Sequence, residues 1–395
     1  MRGLRGAAVV ACLIGGALLP VAPAAAQTTY QVDVGGIFFD GGVRAEFMRF
    51  YPDELTVHQN DVLRFTTDSV HSVTVLPVGA DPVMWRLDNA SARTDPWAYL
   101  LDDPDDGPGA TKYNVRYFTP TGGDCGDEAT PCEYDGVGPE PYNTGAGATG
   151  LDHSLRIAAP PGSTLWAISV YHQQMNLRID VVPDAEPTSD PEVIAGEARE
   201  QRDRDERRAT ALHEKYSKKR TKHRTPSGVR WDAWAGVDSK HVSLYRIYPK
   251  RLELKKRQRV RWHFDVLQNE IHNLVFPYRE AQEITFNTFQ PVCDPDGDDE
   301  PGPDVPPDSG QPPFCLIPEQ GEVDLDPREA RERGDGVFKG GDVEASGIRG
   351  SDDDAGRDPF HEAPWDVRFA KTSKKGFRYF CTIHGEGMSG RVVVK

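Results

Sequence analysis

"FYPDELTVHQNDVLRF", Phe50 to Phe65, returns later in the chain as "IYPKRLELKKRQRVRW", Ile247 to Trp262. Tyr-Pro stands on Tyr-Pro, Leu55 on Leu252, Val57 on Leu254, Arg64 on Arg261 and Phe65 on Trp262. Each copy alternates apolar and polar residues, the period of a strand with one face in a core and one in water. A histidine follows each copy, His71 in "VHSVTV" and His272 in "IHNLVF". The repeat resumes where "LWAISVYHQQMNLRIDVV" (Leu165–Val182) takes the place of "FRYFCTIHGEGMSGRVVV" (Phe377–Val394). Two homologous all-β domains are therefore expected, over residues 27–184 and 227–395.

Residues 185–226 separate them. This stretch is rich in Glu, Arg, Lys and Ala, with no proline between Pro191 and Pro226. Acidic residues lead and basic ones trail, which suits a helix dipole. Apolar residues are sparse (Ile194, Ala198, Leu212, Tyr216), so the reading is a solvent-exposed helix that links or braces the domains. A role in binding a partner is the other reading of its basic tail. Residues 77–160 and 278–370 are dense in Gly, Pro and Asp and read as irregular excursions. Within the second, "CDPDGDDEPGPD" clusters carboxylates, but its spacing does not match a regular calcium loop.

The 395 residues carry a formal net charge of −16 and a pI near 5.2, with a mean hydropathy of −0.58. That balance argues against nucleic acid and anionic membrane surfaces as partners. Arg2 and Arg5 precede an apolar run to Leu19, and Ala24-Ala25-Ala26 fits a small-residue cleavage site. Residues 1–26 thus read as a signal peptide, and the mature chain as secreted or periplasmic with no membrane insertion. Cys12 lies inside the apolar run rather than after it, which disfavours lipidation.

Export permits disulfides. Six cysteines are present, and Cys12 leaves with the leader. Cys125 with Cys132, and Cys293 with Cys315, bracket short loops and read as local staples, each stabilising by roughly 2–3 kcal/mol. Cys381 is left over. An odd thiol in an oxidising compartment needs a reason, and an inert core thiol or an intermolecular bridge are the plain ones.

His272, Cys381, His384 and Met388 offer another. One thiolate, two imidazoles and a thioether form the ligand set of a blue copper electron-transfer site. Zinc is the competing metal, though it has no need of a thioether at that spacing. The stretches "YPKRLELKKRQRVRW", "EIHNLVFP" and "YFCTIHGEGMSGRVVV" resemble the cupredoxin family, plastocyanin and pseudoazurin especially. The resemblance covers the core strands of residues 227–395 but not their long insertion. It implies two tandem Greek-key β-sandwiches joined by the charged helix, with one type 1 copper in the second. It also implies that Asn273 pins the ligand loop and that His384 is the partly exposed ligand through which electrons pass. His263 and His361 read as ordinary strand or surface histidines.

The first domain departs from that pattern. His71, His172 and Met175 stand at ligand-like places, but Ser169 replaces the cysteine and the His–Met spacing is one residue shorter. A serine hydroxyl stays protonated and hard, so the site reads as degenerate, with weak copper binding by two histidines and a methionine as the alternative. Tandem cupredoxin domains also occur in nitrite reductases and small laccases, whose second copper centre needs extra histidines. Phe380 and Thr382 flank Cys381, and no His-x-His pair occurs anywhere. The expectation is an electron carrier serving a redox partner protein. A copper enzyme, or a copper-binding docking module whose acidic insertions meet a partner, is the alternative.

Overall fold

A computed structural model describes residues 27–69, 71–88, 100–102, 110–113, 120–146, 150–170, 172, 175–226, 228–265, 271–288, 292–293, 321–322, 328, 331–349 and 364–395. Residues 1–26, read above as a leader, Cys315 of the expected second disulfide, His361 and most of the "CDPDGDDEPGPD" stretch lie outside them.

In the first half the strands that build the two sandwich sheets are β1 (Thr29–Asp40), β2 (Val43–Tyr51), β3 (Glu54–His58), β4 (Val62–Thr67) and β5 (Ser72–Val75). They continue as β6 (Cys132–Tyr134), β7 (Tyr142–Ala146), β8 (Leu151–Ile157), β9 (Thr164–Ile168) and β10 (Asn176–Val182). After helix α1 (Pro191–Ser217) come β11 (Gly228–Ser239), β12 (Val242–Tyr248), β13 (Arg251–Leu254), β14 (Arg259–Asp265) and β15 (Val275–Phe276). Helix α2 (Tyr278–Thr288) is followed by β16 (Val337–Phe338), β17 (Glu344–Ser346), β18 (Trp365–Phe369), β19 (Ser373–Cys381) and β20 (Gly385–Val394).

The internal repeat is realised strand by strand. β1 pairs antiparallel with β2 and parallel with β4, as β11 does with β12 and β14. β3 runs parallel to β10, and β13 to β20. The last two strands of each half form a hairpin, β9–β10 and β19–β20. The alternation that sequence shows is the burial pattern: Leu55 and Val57 of β3, like Leu252 and Leu254 of β13, point into the core. Each half is therefore a sandwich of two sheets over its own apolar core, centred on Phe50, Phe65 and Leu155 in one and on Trp262, Phe276 and Tyr379 in the other.

The two sandwiches share a sheet. β2 pairs with β12 in register Phe47↔Val242, Glu46↔Ser243 and Ala45↔Leu244, so one sheet runs continuously through both halves. The alignment that puts Tyr51 on Tyr248 also puts Glu46 on Ser243. The strands thus meet through equivalent residues, an isologous contact with its axis at the Glu46–Ser243 pair.

Helix α1 lies across this joint. Asp190 caps its N-terminus, accepting from the backbone N–H of Glu192 and Val193, and Pro191 opens the first turn. The expected solvated helix has one buried face: Ile194, Gln201, Asp205, Ala209, Leu212 and Tyr216, at intervals of three, four and seven residues. Ala209, Leu212 and Tyr216 pack with Val43, Phe47, Val242 and Leu244. The tyrosines of both Tyr-Pro repeats reach the helix: Tyr51 donates to Asp205 Oδ2 at 3.0 Å, and the Tyr248 hydroxyl meets His213 Nδ1 at 2.9 Å. Burial, reinforced by Asp205, pushes the Tyr51 phenol far above its ordinary value.

The excursions are less irregular than their composition suggests. In the first, β7 and β8 are core strands, with Leu155 and Ile157 fully buried. A disulfide joins Cys125 to Cys132 as the spacing predicts. The second holds α2 and β16 to β18. No described helix is long and apolar enough to cross a membrane.

Candidate metal centre

β19 ends at Cys381 and β20 begins at Gly385, so the hairpin turn carries His384 between them. The pairing shifts register between Phe380↔Ser389 and Cys381↔Gly385, and the surplus residues include Met388. His272 arrives from the other side, just before β15, held by a bridge to Arg349. Its Nδ1 lies 3.0 Å from His384 Nδ1, and Cys381 Sγ lies 3.4 Å from that same nitrogen. One ligand atom from each of the three falls within 4.8 Å of the others. Met388 is fully buried and belongs to the same apolar cluster as Cys381. His272, Cys381 and His384 are therefore brought together, a buried thiol and two imidazoles of which only that of His384 is partly exposed, with Met388 in the same apolar cluster as the thiol. Cys381 is buried and outside any disulfide.

Asn273 locks the loop. Its Nδ2 donates to Thr382 Oγ1 at 2.6 Å, and its Oδ1 accepts from the Thr382 backbone N–H at 2.7 Å. Both residues are fully buried, so the residue after Cys381 is tied to the residue after His272. The position of the thiol relative to the first imidazole is set by that pair.

Sequence reading missed Gly236. It sits at φ +72° in a bulge of β11 between Ala235 and Val237, and a Cβ there would lie 1.9 Å from His272 Nε2. Gly35 does the same in the first half, at φ +67° with a Cβ 2.1 Å from His71 Nε2. A glycine interrupting an alternating strand, "WAGVD", was the available signal for a bulge with close backbone approach. Gly236→Ala is expected to push the His272 ring aside. Metal titration should show weaker binding than in the parent, with the melting temperature lowered by a few degrees. Unchanged affinity would contradict this role.

Tyr245 was also missed. Its ring stacks on His384 with centroids 4.1 Å apart and planes at 24°, so the half-buried ligand ring is covered on one face. Arg44, from the first half, lies over Tyr245 at 5.8 Å. The Tyr245 hydroxyl donates to Glu46, whose other oxygen accepts from Ser69 and stands 3.3 Å from His71 Nε2. Glu46 is thus the shared neighbour of a residue at each site.

The first-half residues converge in the same way. His71 Nδ1 and His172 Nδ1 are 3.1 Å apart, and Ser169 Oγ is 3.3 Å from His172 Nδ1. Met175 is fully buried, and its backbone carbonyl accepts from the Ser169 N–H at 3.1 Å. Ser169 therefore occupies the place of Cys381.

Elsewhere, His263 stacks on Trp234 and faces Asp232 at 3.6 Å, a structural role. Asp335, Asp342 and Glu344 also lie close together. Glu344 is occupied with the backbone N–H groups of residues 335, 336 and 337, and burial pushes its carboxyl up.

No protein-family model and no curated protein matches the chain. Among solved structures it is similar to dithionite-reduced auracyanin from Roseiflexus castenholzii, at 15% identity over 40% of this chain and 99% of that one, with a TM-score of 0.22. A multicopper oxidase matches at 9% identity over 93% and 88% of the two chains, TM-score 0.19. A copper-containing nitrite reductase from Thermus scotoductus SA-01 matches at 11% over 93% and 61%, TM-score 0.18. Scores of that size carry no weight by themselves; the double sandwich rests on the strand pairing above.

Proposed function

We propose that the chain is a secreted cupredoxin-type electron carrier, organised as domains 27–184 and 227–395 around the helical segment 185–226, that holds one type 1 copper through His272, Cys381, His384 and Met388. The convergence of the Cys381 thiol with two imidazole nitrogens inside an apolar cluster carries this reading. The donor set fits: thiolate and thioether are soft, imidazole suits both copper oxidation states, and the combination is poor for hard cations. Bound there, copper supplies reversible one-electron exchange.

The protein's part is to hold the donors still. Asn273 and Thr382 fix the loop, Gly236 gives His272 its place, and Tyr245 braces His384. A frame that does not rearrange between oxidation states keeps the reorganisation cost of electron transfer low. His384, half-buried at the end of the sandwich, is the ligand nearest the surface and the proposed route for the electron. The redox partner is proposed to dock over this end, and the acidic charge of the chain favours a basic one.

Copper-loaded protein should be reduced by small donors and reoxidised by a complex-ion acceptor. It should not consume nitrite, dioxygen or phenols beyond free-copper controls. Sustained substrate turnover by the parent protein, lost in Cys381→Ser, would overturn the carrier reading in favour of a copper enzyme.

A further inference from the structure

The first-half cluster is built as a site. His71, Ser169 and His172 are 0%, 0% and 2% exposed, and Glu46 behind them is 6% exposed. The His71–His172 separation of 3.1 Å differs by 0.1 Å from the 3.0 Å of His272–His384. The serine hydroxyl meets its histidine at 3.3 Å where the cysteine sulfur meets its own at 3.4 Å. Gly35 leaves room for His71 as Gly236 does for His272.

Glu46 stands where the second half has Ser243. Its Oε1 stands 3.3 Å from His71 Nε2, and a carboxylate on that side of the ring favours the tautomer with the proton on Nε2 and the Nδ1 lone pair facing His172. A carboxylate behind a histidine in this way orients the ring and raises its basicity toward a metal. Burying two imidazoles, a hydroxyl and a carboxylate costs stability that an apolar filling would not.

From this geometry we infer that His71 and His172, with Ser169 and Met175 beside them, form a second, thiolate-free metal site that takes Cu(I). Two imidazoles and a thioether are neutral and soft donors, which suit a monovalent d10 ion. Ser169 supplies no thiolate, so the site contributes no blue colour. The two sites then differ in character: one cycles, and the other holds copper in its reduced state.

This inference stands apart from the type 1 reading, and the test separates them. Full-length protein, with its disulfide intact, is loaded with Cu(I) without oxygen against a competing Cu(I) chelator, and bound copper is counted before and after air oxidation. Two tightly held Cu(I) ions are expected in the parent, and one in His172→Gln, whose first-site affinity should fall at least about tenfold. The blue band of the second site should be the same in both proteins and reports that the variant is folded. Should no blue band form at all, circular dichroism takes over as the folding check, and the comparison of Cu(I) counts still decides this inference. Equal Cu(I) counts in parent and folded His172→Gln would overturn it.

Discussion

Cys381→Ser should abolish the visible absorption of the copper-loaded protein. The intense colour of such sites arises from charge transfer between a cysteine thiolate and Cu(II), and a serine hydroxyl is neither ionised nor polarisable enough to replace it. The expected loss is essentially the whole band, rather than a shift. The fold should survive. Cys381 is fully buried beside His384, which gives a hydroxyl one partner at about the distance the sulfur now has, so the stability cost should be about 1–3 kcal/mol. His71→Ala, in contrast, should leave the blue band in place, because it touches only the first-half cluster. A blue Cys381→Ser protein, or a parent with two blue coppers per chain, would show that another thiolate ligates the metal. Absorption and metal analysis on the same samples decide it.

Asn273→Ala should have the next largest effect, and it should act on both stability and colour. The amide exchanges two hydrogen bonds with Thr382, at 2.6 and 2.7 Å, in a place closed to water. Deleting it strands the Thr382 hydroxyl and N–H, and each unmet buried group costs about 1–3 kcal/mol. The expected destabilisation is about 2–4 kcal/mol by chemical unfolding. The loop that orients Cys381 also loses its tether, so the blue band should shift and the reduction potential should move. Asn273→Asp keeps the acceptor for the Thr382 N–H and should recover part of the stability. An alanine variant with parental stability and spectrum would mean that the hairpin alone holds the thiol.

Much of this architecture was legible because its information is local. Cys381, His384 and Met388 lie on one hairpin, so their spacing reads directly. His272 follows from the repeat, since a histidine follows each Tyr-Pro motif, whereas Asn273 was expected only from the cupredoxin resemblance. The parts that were not legible are those made between distant segments. Glu46 and Tyr245 meet only because β2 and β12 pair across the two halves, and nothing in either strand names its partner. The buried face of α1 escaped notice because two of its positions, Gln201 and Asp205, are polar. Residues of the joint meet both: Gln201 Nε2 donates to Asp53, and Asp205 accepts from Tyr51 and faces Arg49. β8 was hidden by the glycine and proline around it, although Leu151, His153, Leu155 and Ile157 do alternate.

The pairing at Glu46 and Ser243 has a consequence for charge. Two identical chains joined through these strands would have to place the same residue twice on their axis. Two glutamates there would face each other across a ladder, an arrangement that like charge destabilises. Carrying both halves on one chain removes that obligation. Serine can stand opposite glutamate, its hydroxyl turned to Asp238 at 2.6 Å, while a single carboxylate serves Tyr245 on one side and His71 on the other. The broken symmetry lets two histidine clusters, one with a cysteine and one with a serine, lean on one acid.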